Sequence, residues 1–267
     1  MRINRTEFFI NEINELIHLN LDKKWMATHW ELLENGANEN KIHPFVKSAF
    51  KAHKQINDFI SLNQFSITDE IWEIAGLAIY TNALKRASVN GLENRLKQIT
   101  SDNFVQYWSV RYEIQVAGML LGKGNKVTFI EENKIKTPDI FIQNDNDRCE
   151  IECKHKEPGV DQLDYVKSIY NNTQRARKQF SKSCSGIIFI EIDKQKYNEF
   201  LQEYDRLAVE IGRAMRGSKS ISGICLTSRI ATEDEGDFVD RHRASIRINP
   251  NAAIPIPDVF LQGLILI

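Results

Sequence analysis

Pro138-Asp139-Ile140-Phe141-Ile142-Gln143-Asn144-Asp145-Asn146-Asp147-Arg148-Cys149-Glu150-Ile151-Glu152-Cys153-Lys154 is the stretch that decides the fold. Two apolar-rich runs flank four consecutive turn formers, which predicts a β-hairpin with strands over 139–143 and 148–154. A four-residue loop at 144–147 pairs Gln143 with Arg148. Stepping outward, Phe141 faces Glu150 and Asp139 faces Glu152. Directly opposed side chains stand roughly 4.5–5.5 Å apart at Cβ. Alternation puts Asp139, Glu150, Glu152 and Lys154 on one face and Ile140, Ile142, Cys149, Ile151 and Cys153 on the other, which is a core face.

Two opposed carboxylates repel each other in a plain hairpin. A divalent cation removes that repulsion, and hard Mg²⁺ or Mn²⁺ prefers carboxylate and water oxygens. The backbone carbonyl of Cys153 offers one more oxygen. A metal held there would polarise a phosphodiester and lower the pKa of a bound water. Lys154 shares the face, where its ammonium would orient that water or stabilise transition-state charge. The competing reading is a solvated, charged strand face.

Outward from the hairpin, residues 103–121 read as a helix, with Val110, Ile114, Ala117 and Leu121 on one side and Gly122 and Gly124 at its end. A short strand is expected over 126–130. A helix over 161–182, a doubly buried strand over 186–192, a helix over 195–216, a strand over 223–227 and a last strand over 243–248 continue an α/β alternation. The tail 263–267 reads as a terminal strand or docked end. The first hundred residues are helical in pattern, with a capping box at Ser66-Ile67-Thr68-Asp69 opening a long apolar helix through Leu84. The pattern changes over 85–102. A helical region, 1–100, and an α/β domain, 101–267, are therefore expected.

The 267 residues suffice for a large core, and a formal net charge of −1 means that attraction to nucleic acid must come from local patches. From Tyr165 to Lys182 the sequence carries five basic residues and no acid, with Tyr165, Tyr170 and Phe180 interleaved. That is the local positive charge which phosphate binding needs. The four cysteines form no CxxC pair and no secretory signal is legible, so reduced thiols in a cytoplasmic protein are expected. No apolar run approaches the roughly 20 residues that span a bilayer, so no membrane partner is expected. Gly122-Lys123-Gly124 lacks phosphate-loop spacing. His18, His29, His43 and His53 lack metal-ligand spacing.

Pro138-Asp139 followed by Glu152-Cys153-Lys154, with the order helix, three strands, helix, strand, resembles the PD-(D/E)xK nuclease superfamily over about residues 102–192. The resemblance implies a restriction-endonuclease-like core, a central mixed sheet flanked by helices, and it does not extend to the all-helical N-terminal region expected beside it. It implies Mg²⁺-dependent hydrolysis of phosphodiester bonds, DNA before RNA, with Asp139 and Glu152 as metal ligands and Lys154 as catalytic lysine. It adds Glu113, on the first helix of the core, as an acidic metal-site residue. It also places Gln174 toward the site. Lys156, Gln174, Arg175 and Lys178 are the residues expected to meet nucleic acid, and self-association as a homodimer fits such an enzyme. A restriction or phage-defence setting follows by analogy alone. Two other readings stand beside this one: a non-catalytic nucleic-acid-binding module on the same fold, and an interaction protein whose helical region recruits or associates.

Overall fold

The computed structural model describes residues 5–38, 41–62, 69–101, 103–131, 137–155, 165–192, 204–234 and 237–265. The expected capping box at 66–69 falls largely outside them, as does Lys156. Two compact units emerge. The first comprises Met1–Ser88, Leu92–Gly118 and Ala231–Val239, and the second Val89–Gly91, Met119–Ile230 and Asp240–Ile267.

The first unit is built of helices α1 (Arg5–Glu15), α2 (Lys23–Glu34), α3 (Pro44–Leu62), α4 (Asp69–Arg86), α5 (Leu92–Ile99) and most of α6 (Phe104–Gly122), with a π-helical turn, Leu16–Asn20, after α1. Helix α4 packs against α1 and α3, and α2 against α3. Their shared core includes Ile13, Leu16, Phe45, Ala49, Ile74, Leu77 and Leu84. Glu12 ties α1 to α4: it is buried, accepts from Asn82 Nδ2 at 2.8 Å and pairs with Arg86 at 2.8 Å. His43 is fully buried beside the rings of Trp25, Phe104 and Tyr107, and its pKa is pushed down to about 4 by that burial and by His29. The sequence marks 85–102 only as a change of pattern. The chain forms α5 there, because Leu92, Leu96 and Ile99 recur at helical spacing and are all buried.

The second unit carries a six-stranded mixed sheet in the order β1-β2-β3-β4-β5-β6. The strands are β1 (Lys126–Phe129), β2 (Ile140–Asn144), β3 (Asp147–Lys154), β4 (Ser185–Glu191), β5 (Gly223–Asp234) and β6 (Asp237–Ile248). The distal ends of β5 and β6 are grouped with the first unit. Strands β1, β2 and β3 form an antiparallel meander, and β3, β4 and β5 run parallel. The parallel crossovers carry α7 (Tyr165–Ala176) and α8 (Tyr204–Arg216), as a parallel pair requires. These two helices pack together and bury Ile169, Ala176, Leu207, Ile211 and Met215 with Ile188, Ile190, Ile224 and Leu226 of the sheet. The expected sheet with flanking helices is therefore present.

Two local readings change. The tail is helical, α9 (Asp258–Ile265), and not a strand: Phe260 and Leu261 both donate to Pro257 O, so a proline with its fixed φ opens the first turn. Helix α7 ends at Ala176 rather than 182. The chain turns there so that Phe180 can bury against the sheet at Gly186, where a side chain would stand 2.7 Å from Phe180 Cγ.

Candidate functional site

The hairpin keeps its expected register. Gln143 pairs with Arg148 and Phe141 with Glu150. The turn is tighter than the sequence suggests, because Asn144 also pairs with Asp147 and only residues 145 and 146 bridge the strands. Asp145 takes φ +48°, a left-handed conformation that aspartate tolerates.

The last expected step, Asp139 opposite Glu152, is not taken. The Asp139 N–H donates to Ile151 O at 3.0 Å, and Ile151 already pairs with Ile140. The ladder therefore ends at Ile140, and Asp139 lies just before the first residue of β2. There its carboxylate turns to the β3 backbone: Asp139 Oδ2 accepts the Cys153 N–H at 2.7 Å. Asp139 still lies close enough to Glu152 for its charge to act on it.

Nor is the charged face solvated. In the parallel register Glu150, Glu152 and Lys154 pair with Gly186, Ile188 and Ile190, which places them on the face that α7 and α8 cover. Glu152 is fully buried, and Lys154 retains about a quarter of its side-chain exposure. Burying charges without partners is costly, so each must be answered locally. Glu150 is buried and accepts the Ser181 N–H at 2.7 Å, which pins the turn after α7. Glu152 Oε1 is paired with Lys154 Nζ. Glu152 Oε2 is buried and makes no full hydrogen bond among the described residues.

Burial first, and then the Asp139 charge, push the Glu152 carboxyl up to about 8, although Lys154 and the nearby Gln179 amide oppose the shift. For Lys154 burial works against the ammonium, but Glu152 and Asp139 outweigh it and raise the pKa above the ordinary lysine value. Fully ionised, the trio carries two negative charges and one positive. On acidification it gives up a negative charge first.

No family model matches this sequence, and neither a curated protein nor a solved structure does.

The donor set fits a hard divalent cation. Among the described residues no group of three or more His, Cys, Asp or Glu side chains is arranged to hold a metal. Mg²⁺, however, is usually held by one or two carboxylates and completes its shell with water and substrate phosphate. A buried carboxylate whose second oxygen has only the nearby Gln179 amide among the described residues, beside a second carboxylate, is the local deficit that such a cation would satisfy. Asp139 and Glu152 would hold it, beside the Cys153 peptide that Asp139 already contacts.

The other sequence candidates lie as follows. Glu113 belongs to the first unit, where it is buried and pairs with Arg95 Nε at 2.6 Å. Gln174 donates to Ala214 O of α8 at 3.3 Å. Arg175 and Lys178 are exposed. Three residues that the sequence did not single out for this site stand close to the cluster or at its strand ends. Gln179, whose amide also donates to Thr137 O at 3.2 Å, lies beside Glu152. No helical periodicity marks it, because α7 has already ended. His155 and Glu191 pair at the carboxyl ends of β3 and β4, one step beyond Lys154 and Ile190. That pairing was readable only once the two strands were known to be parallel neighbours.

Proposed function

We propose that this chain is a divalent-metal-dependent phosphodiesterase of the PD-(D/E)xK type, hydrolysing nucleic acid and preferring DNA. The observation that carries the reading is the Asp139–Glu152–Lys154 cluster at the carboxyl end of β3, with Glu152 fully buried at its centre and Asp139 tied to the Cys153 N–H. A fold has no structural need for two carboxylates and an ammonium in a covered strand face, and perturbed ionisation in such a place is a mark of function. Bound divalent metal would supply Lewis acidity and an activated water.

The chain's own residues have separable tasks. The Cys153 N–H fixes the Asp139 carboxylate in one orientation. Lys154 favours the ionised form of Glu152, against the burial that disfavours it. The partly exposed Lys154 ammonium is also the donor that can move from Glu152 to a substrate phosphate oxygen, where charge builds up in the transition state. Gln179, anchored to Thr137 O, holds the approach between α7 and the hairpin.

Substrate attraction is assigned to the α7–α8 layer. Arg175, Lys178 and Lys182 on and after α7, and Arg206, Arg213 and Arg216 on α8, are exposed, against the acids Asp205 and Glu210 among the described residues of these helices. Arg213 also lies over the Tyr170 ring at 5.4 Å, which braces the two helices. No helix among the described residues is long and apolar enough to cross a membrane. A cytoplasmic setting, a role in restriction or phage defence, and function as a homodimer belong to this same proposal.

The test is a cleavage panel of supercoiled DNA, linear duplex, single strands and RNA, each with Mg²⁺ and with EDTA. Cleavage that needs metal and disappears in Asp139→Ala and Lys154→Ala supports the reading. A protein that binds DNA but takes up no Mn²⁺ by calorimetry and cuts nothing is instead a binding module on this fold.

A further inference from the structure

The helical unit contains a cavity of about 360 Å³ that the nuclease reading does not use. Residues Lys23, Met26, Ala27 and Trp30 fall at i, i+3, i+4 and i+7, so they share one face of α2 and form a wall of the cavity. Ile17 and His18 of the π-helical turn form another part of the lining. Single π-helical turns recur at functional sites because they displace side chains from the regular helical register. His53 of α3 completes the mouth.

The lining is divided by chemistry. Met26 is buried at the floor, and Ile17, Ala27 and the Trp30 ring supply apolar surface. The Trp30 ring is held in place: its indole N–H donates to Glu34 Oε1 at 3.2 Å, and the His53 ring meets it edge-on at 5.2 Å. The mouth carries Lys23, His18 and His53, and no carboxylate lines the cavity among the described residues. Of the neighbouring acids, Asp22 caps α2 through the Lys24 and Trp25 amides, and Glu34 takes the Trp30 indole. A volume of this size lies at the small end of ligand pockets, and an apolar body with a few polar groups at the rim is their usual chemistry.

We propose that this cavity is a binding site for a small, flat aromatic molecule bearing one anionic group, with the ring against Trp30 and the anion at Lys23. The site lies wholly within the helical unit and stands independently of the carboxylate cluster.

The test uses the full-length protein and two fluorescent naphthalene probes of similar shape, the sulfonate 1-anilinonaphthalene-8-sulfonate and the neutral N-phenyl-1-naphthylamine. The sulfonate should bind at one site per chain and more tightly than the neutral probe, with affinity falling as salt rises. Ala27 is exposed at the cavity wall, so Ala27→Trp fills the space without disturbing the core, and it should weaken both probes about tenfold or more. Lys23→Glu should weaken the sulfonate by about fivefold and leave the neutral probe unchanged. Unchanged melting temperatures for both variants exclude unfolding as the cause. Sulfonate binding that survives Ala27→Trp overturns the site. Equal affinity for the two probes, or indifference to Lys23→Glu, overturns its anion selectivity.

Discussion

The Asp139 carboxylate accepts the backbone N–H of Cys153 at 2.7 Å, so the first acid of the cluster is positioned by the peptide that follows the second. Asparagine retains an oxygen that can accept this bond but carries no charge. Asp139→Asn should therefore melt close to wild type while metal-dependent cleavage falls about a hundredfold or more. A paired melting curve and cleavage time course decide it. A variant that cuts normally removes Asp139 from the chemistry.

Glu152 makes stability depend on pH in an unusual direction. Its carboxyl binds a proton more tightly in the folded chain, at about 8, than its ordinary value of 4.5. Between those two values the native state holds more protons than the unfolded state, so stability falls as pH rises from about 4.5 to about 8 and levels off above. Mg²⁺ should offset the loss, because the proposed metal would bind the ionised form. Urea unfolding at pH 5.5, 7 and 8.5, for wild type and Glu152→Gln, isolates the effect. The wild-type deficit relative to the glutamine variant should grow with pH and shrink when Mg²⁺ is added. A difference independent of pH refutes the assignment.

The hairpin was legible because four turn formers in a row pin its register, which pairs Gln143 with Arg148 and Phe141 with Glu150 and puts Glu152 and Lys154 on the Glu150 face. The end of the ladder before Asp139 was not legible, since it follows from the hydrogen bond to Ile151 O and not from any residue that stops a strand. Burial of the acidic face was hidden for a related reason. Glu150, Glu152 and Lys154 alternate like a solvated strand, and only the helices laid across Ile188 and Ile190 turn that face inward. Gln174 and Gln179 show the same limit. The family resemblance favours the former, but the chain leaves the helix after Ala176 and brings the latter to Glu152.

Gly186 is the point at which strand packing and the site meet. A Cβ there would stand 2.6 Å from Ser220 O and 2.7 Å from Phe180 Cγ. Phe180 lies between Gln179, beside Glu152, and Ser181, whose amide Glu150 holds. Gly186→Ala should cost about 1–3 kcal/mol of stability, typical of overpacking. It should also slow cleavage more than a stability loss of that size explains, by displacing the Gln179 turn. Chemical unfolding and initial rates measured well below the transition separate the two effects.

Glu113 is joined to Arg95 in a pair that is almost wholly buried, with side-chain exposures of 11% and 5%. Removing one member takes this partner from the other inside the core, so Glu113→Gln should destabilise by about 3–5 kcal/mol. Replacing both, as Arg95→Met with Glu113→Leu, removes both charges of the pair and should recover most of that loss. With its carboxylate committed to Arg95, Glu113 is expected to act through structure. The double variant should then keep metal-dependent cleavage within about tenfold of wild type. A stable but inactive double variant would instead assign Glu113 a direct part in the reaction.

Arg175 and Lys178 are exposed on the outer side of α7 and its following turn, away from the core formed by Ile169 and Ala176. Reversing both charges should leave the melting temperature unchanged, because surface substitutions of this kind move stability little. Duplex binding, measured with Asp139→Asn so that no strand is cut, should weaken at low salt for every sequence tested. Each phosphate contact contributes about one unit to the slope of log affinity against log salt, so Arg175→Glu with Lys178→Glu should flatten that slope by about two. An unchanged slope would move the nucleic-acid surface off α7, and the cations of α8 would become the next to reverse.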